Sequence, residues 1–512
     1  MRELRGLCVV VCATALGCAT GSAPTQVEDP IETLALDEWR RAEVAGLDVY
    51  TNAPDAEARR VLRRTEQFVS FLRDFLGDFR LDGDFTAPRA TDVFLFARED
   101  QLRLFTPDPE ETGLRVAGYV TEFVPRISLA SSVRAASHSL SVFRHELVHV
   151  VHASDPERHP PRWAKEGLAV YFSTVTLRSD VLTLGRPSDQ GLRLARALDE
   201  ALPLARIFAW DGTEAIEIHR FYADAWVFVH YGLQSEVLGG PNRVGAFREF
   251  LDRVGRGEPW ESSLEAAFDA PLSVVEAEFR RHRRRLLEGE VNTVVHLRVA
   301  IPTEDPVFEA VPLPEIASRL GGLASQVGDW TLDTRRRLFD FLLELDAEDS
   351  EALLGRMRVA VHDDDLGRAA HLWSRVPVES RDRFDALLAW AEFAQARWLA
   401  VSAETPDRRH FLESRDAWVR VLAVAPEYLP ALLALGALHV EANAEDPWMG
   451  IDALRRAIDL DPQRRSIRID LSRLLVRAGE LDAARRELEP LAAAEESPKA
   501  AREARRLLRR LR

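Results

Sequence analysis

Two hydrophobic periods alternate along the first 300 or so residues of this chain, and only one persists beyond them. Between Ile31 and Ser141 a period of two in "LDVYTN" and "TDVFLFAR" predicts short strands. Between them, "DAEARRVLRRTEQFVSFLRDFLG" has helical spacing, with an Asp at its start and a Gly at its end. "GYVTEFVPRISLASS" predicts a hairpin-like pair of strands around Val124-Pro125, and the proline, which has no N–H for a ladder, points to a sheet edge. From Arg144 to Val151 the helical period takes over. "PPRWAKEGLAVYFST", "HRFYADAWVFVHYGLQ" and "VGAFREFLDRVGRG" give three more helices. The sum is a mixed sheet with helices that ends near Arg280–Arg285, before a strand-like "NTVVHLRVA".

After about residue 310 strand signals vanish, and helices are separated by "LDAEDS", "VAPEYLP" and "LDPQRRS". Pro426, Pro462 and Pro498 recur every 36 residues. "ALRRAIDLDP" followed by "LSRLLVRAGELDAARREL" resembles a tetratricopeptide (TPR) repeat pair with a period two residues longer than usual. A generic helical bundle with prolines in its loops is the alternative, because Thr331 to Glu413 follows the pattern loosely. Helical repeats build concave surfaces for peptide or protein partners, and nothing in these helices suggests chemistry.

Composition narrows the class. A chain of 512 residues, 46% hydrophobic, exceeds what one core usually holds, so two or three domains are expected. The net charge of -16 leaves no basic excess for a phosphate backbone, and no nucleic-acid partner is expected. The N-terminus has Arg2 and Arg5 before an apolar run from Leu7 to Leu16, too short for a bilayer-spanning helix and suited to an export leader. All three cysteines, Cys8, Cys12 and Cys18, lie there. Ala15-Leu16-Gly17-Cys18 resembles the lipobox of bacterial lipoproteins, with Ala15 in place of the usual Leu, which implies a lipid anchor at Cys18. The alternative is an ordinary leader cut near Ala19 or Ala23. At most one thiol survives either cut, so no internal disulfide is available and stability rests on packing.

The chemistry concentrates in "FRHELVHVVHASDPERHPPRWAKEGLAVYF", Phe143 to Phe172, where four histidines and four acidic residues share thirty positions. On a helix His145 and His149 project from one face one turn apart and can offer two imidazoles to one cation. Glu146 lies beside them as a proton acceptor. Two imidazoles hold zinc weakly. A catalytic site takes three protein ligands and keeps one position for water, and Glu166 is the best third candidate.

"RHELVHVVH" with "PRWAKEGLAVYF" resembles the gluzincin clan of metallopeptidases, and W-x-x-E-G-x-A is particularly similar to peptidase MA-like domains. The resemblance implies one Zn2+ per chain held by His145, His149 and Glu166, with Glu146 as general base and acid. It also implies an oxyanion-binding tyrosine at Tyr222 in "FYADAWVFVHYGL", and backbone pairing of substrate along the edge strand "YVTEFVPRISLA". The chain departs from the clan in three places. It lacks a Gly-Ala-Met-Glu-Asn type motif, which favours endopeptidase over aminopeptidase action. Val170 stands where many gluzincins have an Asp behind a ligand histidine. His152 and Asp155 leave a metzincin-like option open, HExxHxxHxxD with Asp155 as third ligand, although the metzincin glycine is here His152. His152 otherwise reads as a packed or supporting residue, His159 as a loop residue, and Trp163 as packing at the start of its helix. His219 and His230 are candidates to face the site.

The expected layout is a leader at 1–17, a tether at 18–34, a gluzincin-like α+β metallopeptidase domain at 35–290 with mixed sheet and helices, a linker at 291–325, and an all-α TPR-like domain at 326–512. The expected function is zinc-dependent hydrolysis of peptide or protein substrates outside the cytoplasm, on the periplasmic face of the outer membrane or the cell surface. The helical repeats would recruit substrate or a protein partner. The rival expectation is a lipid-anchored interaction scaffold whose peptidase-like domain is silent.

Overall fold

The period-two stretches at Leu47–Thr51 and Thr91–Phe96 fold as strands of a seven-stranded sheet, the strand-like stretch at Val295–Arg298 joins a separate three-stranded sheet, and the helical stretches fold as helices. The computed structural model describes residues 9–13, 34, 37–78, 91–106, 116–123, 126–133, 140–153, 160–187, 192–193, 195–196, 200–210, 218–289, 294–302, 304–326, 332–402, 408–442, 446–462, 464–493 and 498–511. Cys8, Cys18, the tether up to residue 33, Val124-Pro125, Asp155 and His159 lie outside the described residues.

In chain order the elements begin with β1 (Val9–Ala13), β2 (Arg40–Val44), β3 (Leu47–Thr51), α1 (Asp55–Asp78), β4 (Thr91–Phe96), α2 (Glu99–Arg103), β5 (Val116–Phe123), β6 (Arg126–Ser132), α3 (Leu140–Ala153) and α4 (Arg162–Ser173). There follow β7 (Thr176–Arg178), β8 (Val181–Leu184), α5 (Leu204–Phe208), α6 (Ile218–Gln234), α7 (Val244–Gly255), α8 (Trp260–Phe268), α9 (Leu272–Leu287), β9 (Val295–Arg298) and β10 (Glu309–Ala310). The remainder is helical: α10 (Leu313–Gln326), α11 (Leu332–Leu345), α12 (Ser350–His362), α13 (Leu366–Arg375), α14 (Phe384–Ser402), α15 (Arg408–Val424), α16 (Leu429–Glu441), α17 (Trp448–Leu460), α18 (Arg465–Arg477), α19 (Leu481–Ala493) and α20 (Pro498–Arg510). Among the described residues no helix is long and apolar enough to cross a membrane.

The chain divides into two compact units, each assembled from separated segments: 1–63, 89–146 and 304–443 in one, 64–88, 147–303 and 444–512 in the other. The division falls inside the continuous helices α1 and α3.

The first unit holds the sheet, in the order β1-β5-β6-β4-β3-β2-β10. β3 and β6 run parallel to the central β4, and the other neighbours are antiparallel. All six residues of β4 are buried, as expected of a strand with both faces covered. Tyr50, Phe94, Ala130 and Tyr119 lie in register across β3, β4, β6 and β5, and Ile316, Leu320 and Leu323 of α10 share their core. The segment expected as a linker thus carries β9, β10 and a helix packed on the sheet. Val9–Ala13, within the expected leader, pairs antiparallel with β5, with Val11 opposite Tyr119. Helices α11 to α16 continue this unit as pairs. Asp349 accepts from Ala352 N–H in the first turn of α12 and Asp365 from Arg368 N–H in the first turn of α13, a standard solution for orphaned helix donors.

The second unit is built on aromatics. Trp163 of α4 stacks on Phe250 of α7 at 5.6 Å and meets Phe208 and Phe228 at 5.0 and 5.4 Å. α4 approaches α6 so closely that a Cβ on Gly167 would lie 2.7 Å from the Ala225 carbonyl oxygen and 2.7 Å from Val229 Cγ2. α6 also meets α9 through a buried histidine pair, His230 Nδ1 to His282 Nε2 at 3.0 Å, while His230 Nε2 lies 3.2 Å from the Gly185 carbonyl. A carbonyl only accepts, so His230 donates from Nε2, its Nδ1 is the acceptor, and His282 donates from Nε2. A small antiparallel sheet, β7-β8-β9, belongs to this unit, as do helices α17 to α20, stacked as successive neighbours.

Two outcomes follow from this packing. Gly167→Val should destabilise the protein by about 1–3 kcal/mol, read as a lowered denaturation midpoint, because the added methyls meet backbone and a branched side chain. Burial holds His230 at about 4 and His282 at about 3, both below the usual histidine value of 6.5. The unfolded chain therefore binds more protons below pH 6.5, so stability is full above that value and falls as pH drops toward 3–4. Thermal melts from about pH 7 to 4 should show this decline, and His282→Gln, which keeps a donor for His230 and removes one of the two titrating rings, should make it shallower.

Candidate metal centre

α3 supplies the first part of the site by helical geometry alone. Residues four apart lie one turn apart on the same face, so His145 and His149 project together, and both are buried. Glu146 follows His145 on the same helix and is fully buried.

α4 supplies the third group. Its entry is set by Pro160-Pro161: Pro161 has φ -62° and caps the helix, its carbonyl accepting from Ala164 N–H at 2.9 Å and Lys165 N–H at 3.1 Å. Trp163 then anchors the first turn in the aromatic core, and Gly167 lets the helix sit against α6. Glu166 lies between these two fixed points and is 2% exposed. Its Oε2 is 3.6 Å from His149 Nε2.

One ligand atom each from His145, His149 and Glu166 all lie within 4.8 Å of one another. Tetrahedral zinc with bonds of about 2.0–2.1 Å places its ligand atoms roughly 3.3 Å apart, so small side-chain adjustments bring all three onto one ion. Two imidazoles and a carboxylate are also the donor set that leaves a coordination position for water. Among the described residues this is the group of histidine and acidic side chains with that geometry.

The other candidates fall elsewhere. His152, seven residues after His145, is 3% exposed, outside the close group, and neither of its ring nitrogens has a hydrogen-bond partner. Burial, reinforced by His149 and Lys165 and opposed by Glu166, lowers it to about 3, so its ring is neutral near pH 7. Tyr222 is half-buried on α6 with its ring edge-on to Phe221. His230 is committed to His282 and Gly185 rather than to the ligand group. Val170 is half-buried and carries no polar atom to orient a ligand. Sequence reasoning misses the parts played by His282 and Gly185, because nothing local signals a pairing across 52 and 45 residues.

No family model and no curated protein matches the chain. Among solved structures it is similar to TTC0263, a thermophilic TPR protein of Thermus thermophilus, with 22% identity over 38% of this chain and 99% of that one, at a TM-score of 0.28. A MamA protein is 18% identical over 37% of this chain and 94% of its own, TM-score 0.28. A human IFIT1 dimer with m7Gppp-AAAA is 12% identical over 62% and 75%, TM-score 0.22. The C-terminal helices of this chain run as successive packed pairs, the form of a TPR-like helical array.

Proposed function

We propose that this protein is a zinc metallopeptidase that cleaves within peptide or protein substrates outside the cytoplasm. The observation that carries the reading is the buried convergence of His145, His149 and Glu166 from two helices, the donor set that a catalytic zinc site takes. These three residues would hold the metal. When bound, zinc supplies Lewis acidity toward the scissile carbonyl and makes water a stronger nucleophile near neutral pH.

The chain's own residues do the rest. Glu146 takes a proton from the attacking water and returns it to the leaving amine, a task that requires a carboxylate beside the ligand face and not on it. Tyr222 donates its O–H to the developing oxyanion. β5 binds the substrate main chain by strand addition. The antiparallel ladder that Val9–Ala13 makes with Val116–Thr121 supports this, since β5 there accepts an extended segment along its outer edge. Removal of the leader, with lipidation at Cys18, would leave that edge for substrate.

A second reading has support from the helix pairs beyond residue 350, which have the form of a partner-binding repeat array. In it the protein is an anchored interaction scaffold, and the peptidase-like part is silent. Metal analysis and a broad peptide-library digest separate the two. Zinc at one per chain with cleavage abolished by EDTA supports the enzyme, and intact peptides throughout support the scaffold.

Two substitutions test the assignments directly. Glu146→Gln should retain zinc and melting temperature while hydrolysis falls by about 10²-fold or more, and full activity in the purified variant would remove Glu146 from the role of base. Glu166→Ala should cost far more zinc affinity than Asp155→Ala. The reverse order would transfer the third ligand to Asp155.

A further inference from the structure

Six basic side chains and one acidic one stand on the 13 residues of α20, in a chain whose net charge is -16. The helix sorts them by face. Ala501, Ala504 and Leu507 are buried, the last two in one core with Ile469 of α18 and with Leu488 and Leu491 of α19. Lys499, Arg502, Arg505, Arg506, Arg509 and Arg510 are all exposed. Their spacing of three and four gathers them on the opposite face, over a length of about 16 Å at 1.5 Å per residue. The one acid is already paired, since Glu503 meets Arg473 of α18 at 2.9 Å and Arg506 at 2.5 Å. Arg505 gives one N–H to the Ala492 carbonyl, while Arg502, Arg509 and Arg510 make no ion pair among the described residues.

Like charges three and four apart on a helix repel, so this row opposes the helix that carries it. A face kept only for solubility would intersperse both signs. An anionic counter-surface would remove the repulsion, and the make-up of the face selects which kind. Nucleic acids are gripped with help from stacking aromatic or amide side chains, and α20 has neither. A protein partner needs an apolar anchor at the centre of its contact, and the six exposed positions offer none. A plane of anionic headgroups needs neither, because it attracts each Lys or Arg separately, by about fivefold in binding per residue. We propose that the exposed face of α20 is a contact site for an anionic phospholipid membrane surface. The arginines rest on the headgroups while Ala504 and Leu507 stay in the protein core. The contact requires no metal and is independent of the zinc-site reading.

The experiment is vesicle co-sedimentation of the full chain carrying Cys18→Ser, so that no acyl chain contributes. The vesicles are phosphatidylcholine alone, or phosphatidylcholine mixed with phosphatidylglycerol, in about 0.1 M salt. This parent should bind the anionic vesicles about 100-fold or more tighter than the neutral ones, and raising the salt to about 0.5 M should erase most of the difference. Arg502→Gln with Arg509→Gln should weaken anionic binding by about 25-fold. Arg502→Lys with Arg509→Lys should bind within about twofold of the parent, because a headgroup plane responds to charge. Arg281→Gln with Arg284→Gln, at two exposed positions of α9, makes the same change in net charge and should alter binding by less than about twofold. All three pairs should melt with the parent, since the altered side chains are exposed. Equal binding to neutral and anionic vesicles overturns the inference. So does anionic binding that survives the α20 Gln pair, or that falls as far in the α9 pair or the Lys pair. A short DNA duplex bound more tightly than the vesicles, with the same dependence on Arg502 and Arg509, overturns it in favour of a nucleic acid.

Discussion

The structure around α3 depends on one constraint: ionisable groups taken out of water must find a partner for their charge or polarity. His145, Glu146, His149, His152 and Glu166 are all buried on two helices whose other buried residues include Val142, Phe143, Leu147, Val148 and Leu168. A core of that composition, filled with aliphatic residues at the same positions, would be more stable. On the zinc reading proposed above, one divalent ion would unite three members of the set, His145, His149 and Glu166. The Pro161 entry, the Trp163 anchor and the Gly167 contact together fix the height and rotation of α4, and those determine whether Glu166 meets the imidazoles.

Much of this was legible because it is local. Spacing of four on a helix put His145 and His149 together before any tertiary information, and the strands at Leu47–Thr51 and Thr91–Phe96 and the helix at Asp55–Asp78 follow from simple periodicity. Glu166 was a candidate for a different reason, the need of a zinc site for a third protein ligand together with resemblance to a known motif, and its approach to His149 depends on how α4 docks. The loops "LDAEDS", "VAPEYLP" and "LDPQRRS" fall between helices, and Asp349 in the first of them is an N-cap.

What escaped the sequence is what long-range packing decides. β2, β7, β8 and β10 are two to five residues long, too short for a period to show; β2 and β7 find ladders in the adjacent β3 and β8, while β10 pairs only with the distant β2 and β8 gains a second partner in the distant β9. α10 lies in a stretch that reads as a linker, but Ile316, Leu320 and Leu323 serve the same core as Phe94 and Phe96. The isolation of His152 from hydrogen bonds was equally invisible, because periodicity gives the face on which a side chain lies and not whom it meets there.

The pairing of β10 with β2 joins Glu309 to Arg41, two residues far apart in the sequence. A ribosome would have to reach Glu309 and approach the helical array before the sheet could acquire its last strand. Completion of the sheet is thereby deferred until well over half the chain exists. Until then one side of Arg40–Val44 keeps its backbone N–H and C=O groups unpaired, an open edge on which a second chain could form a ladder before Glu309 and Ala310 arrive.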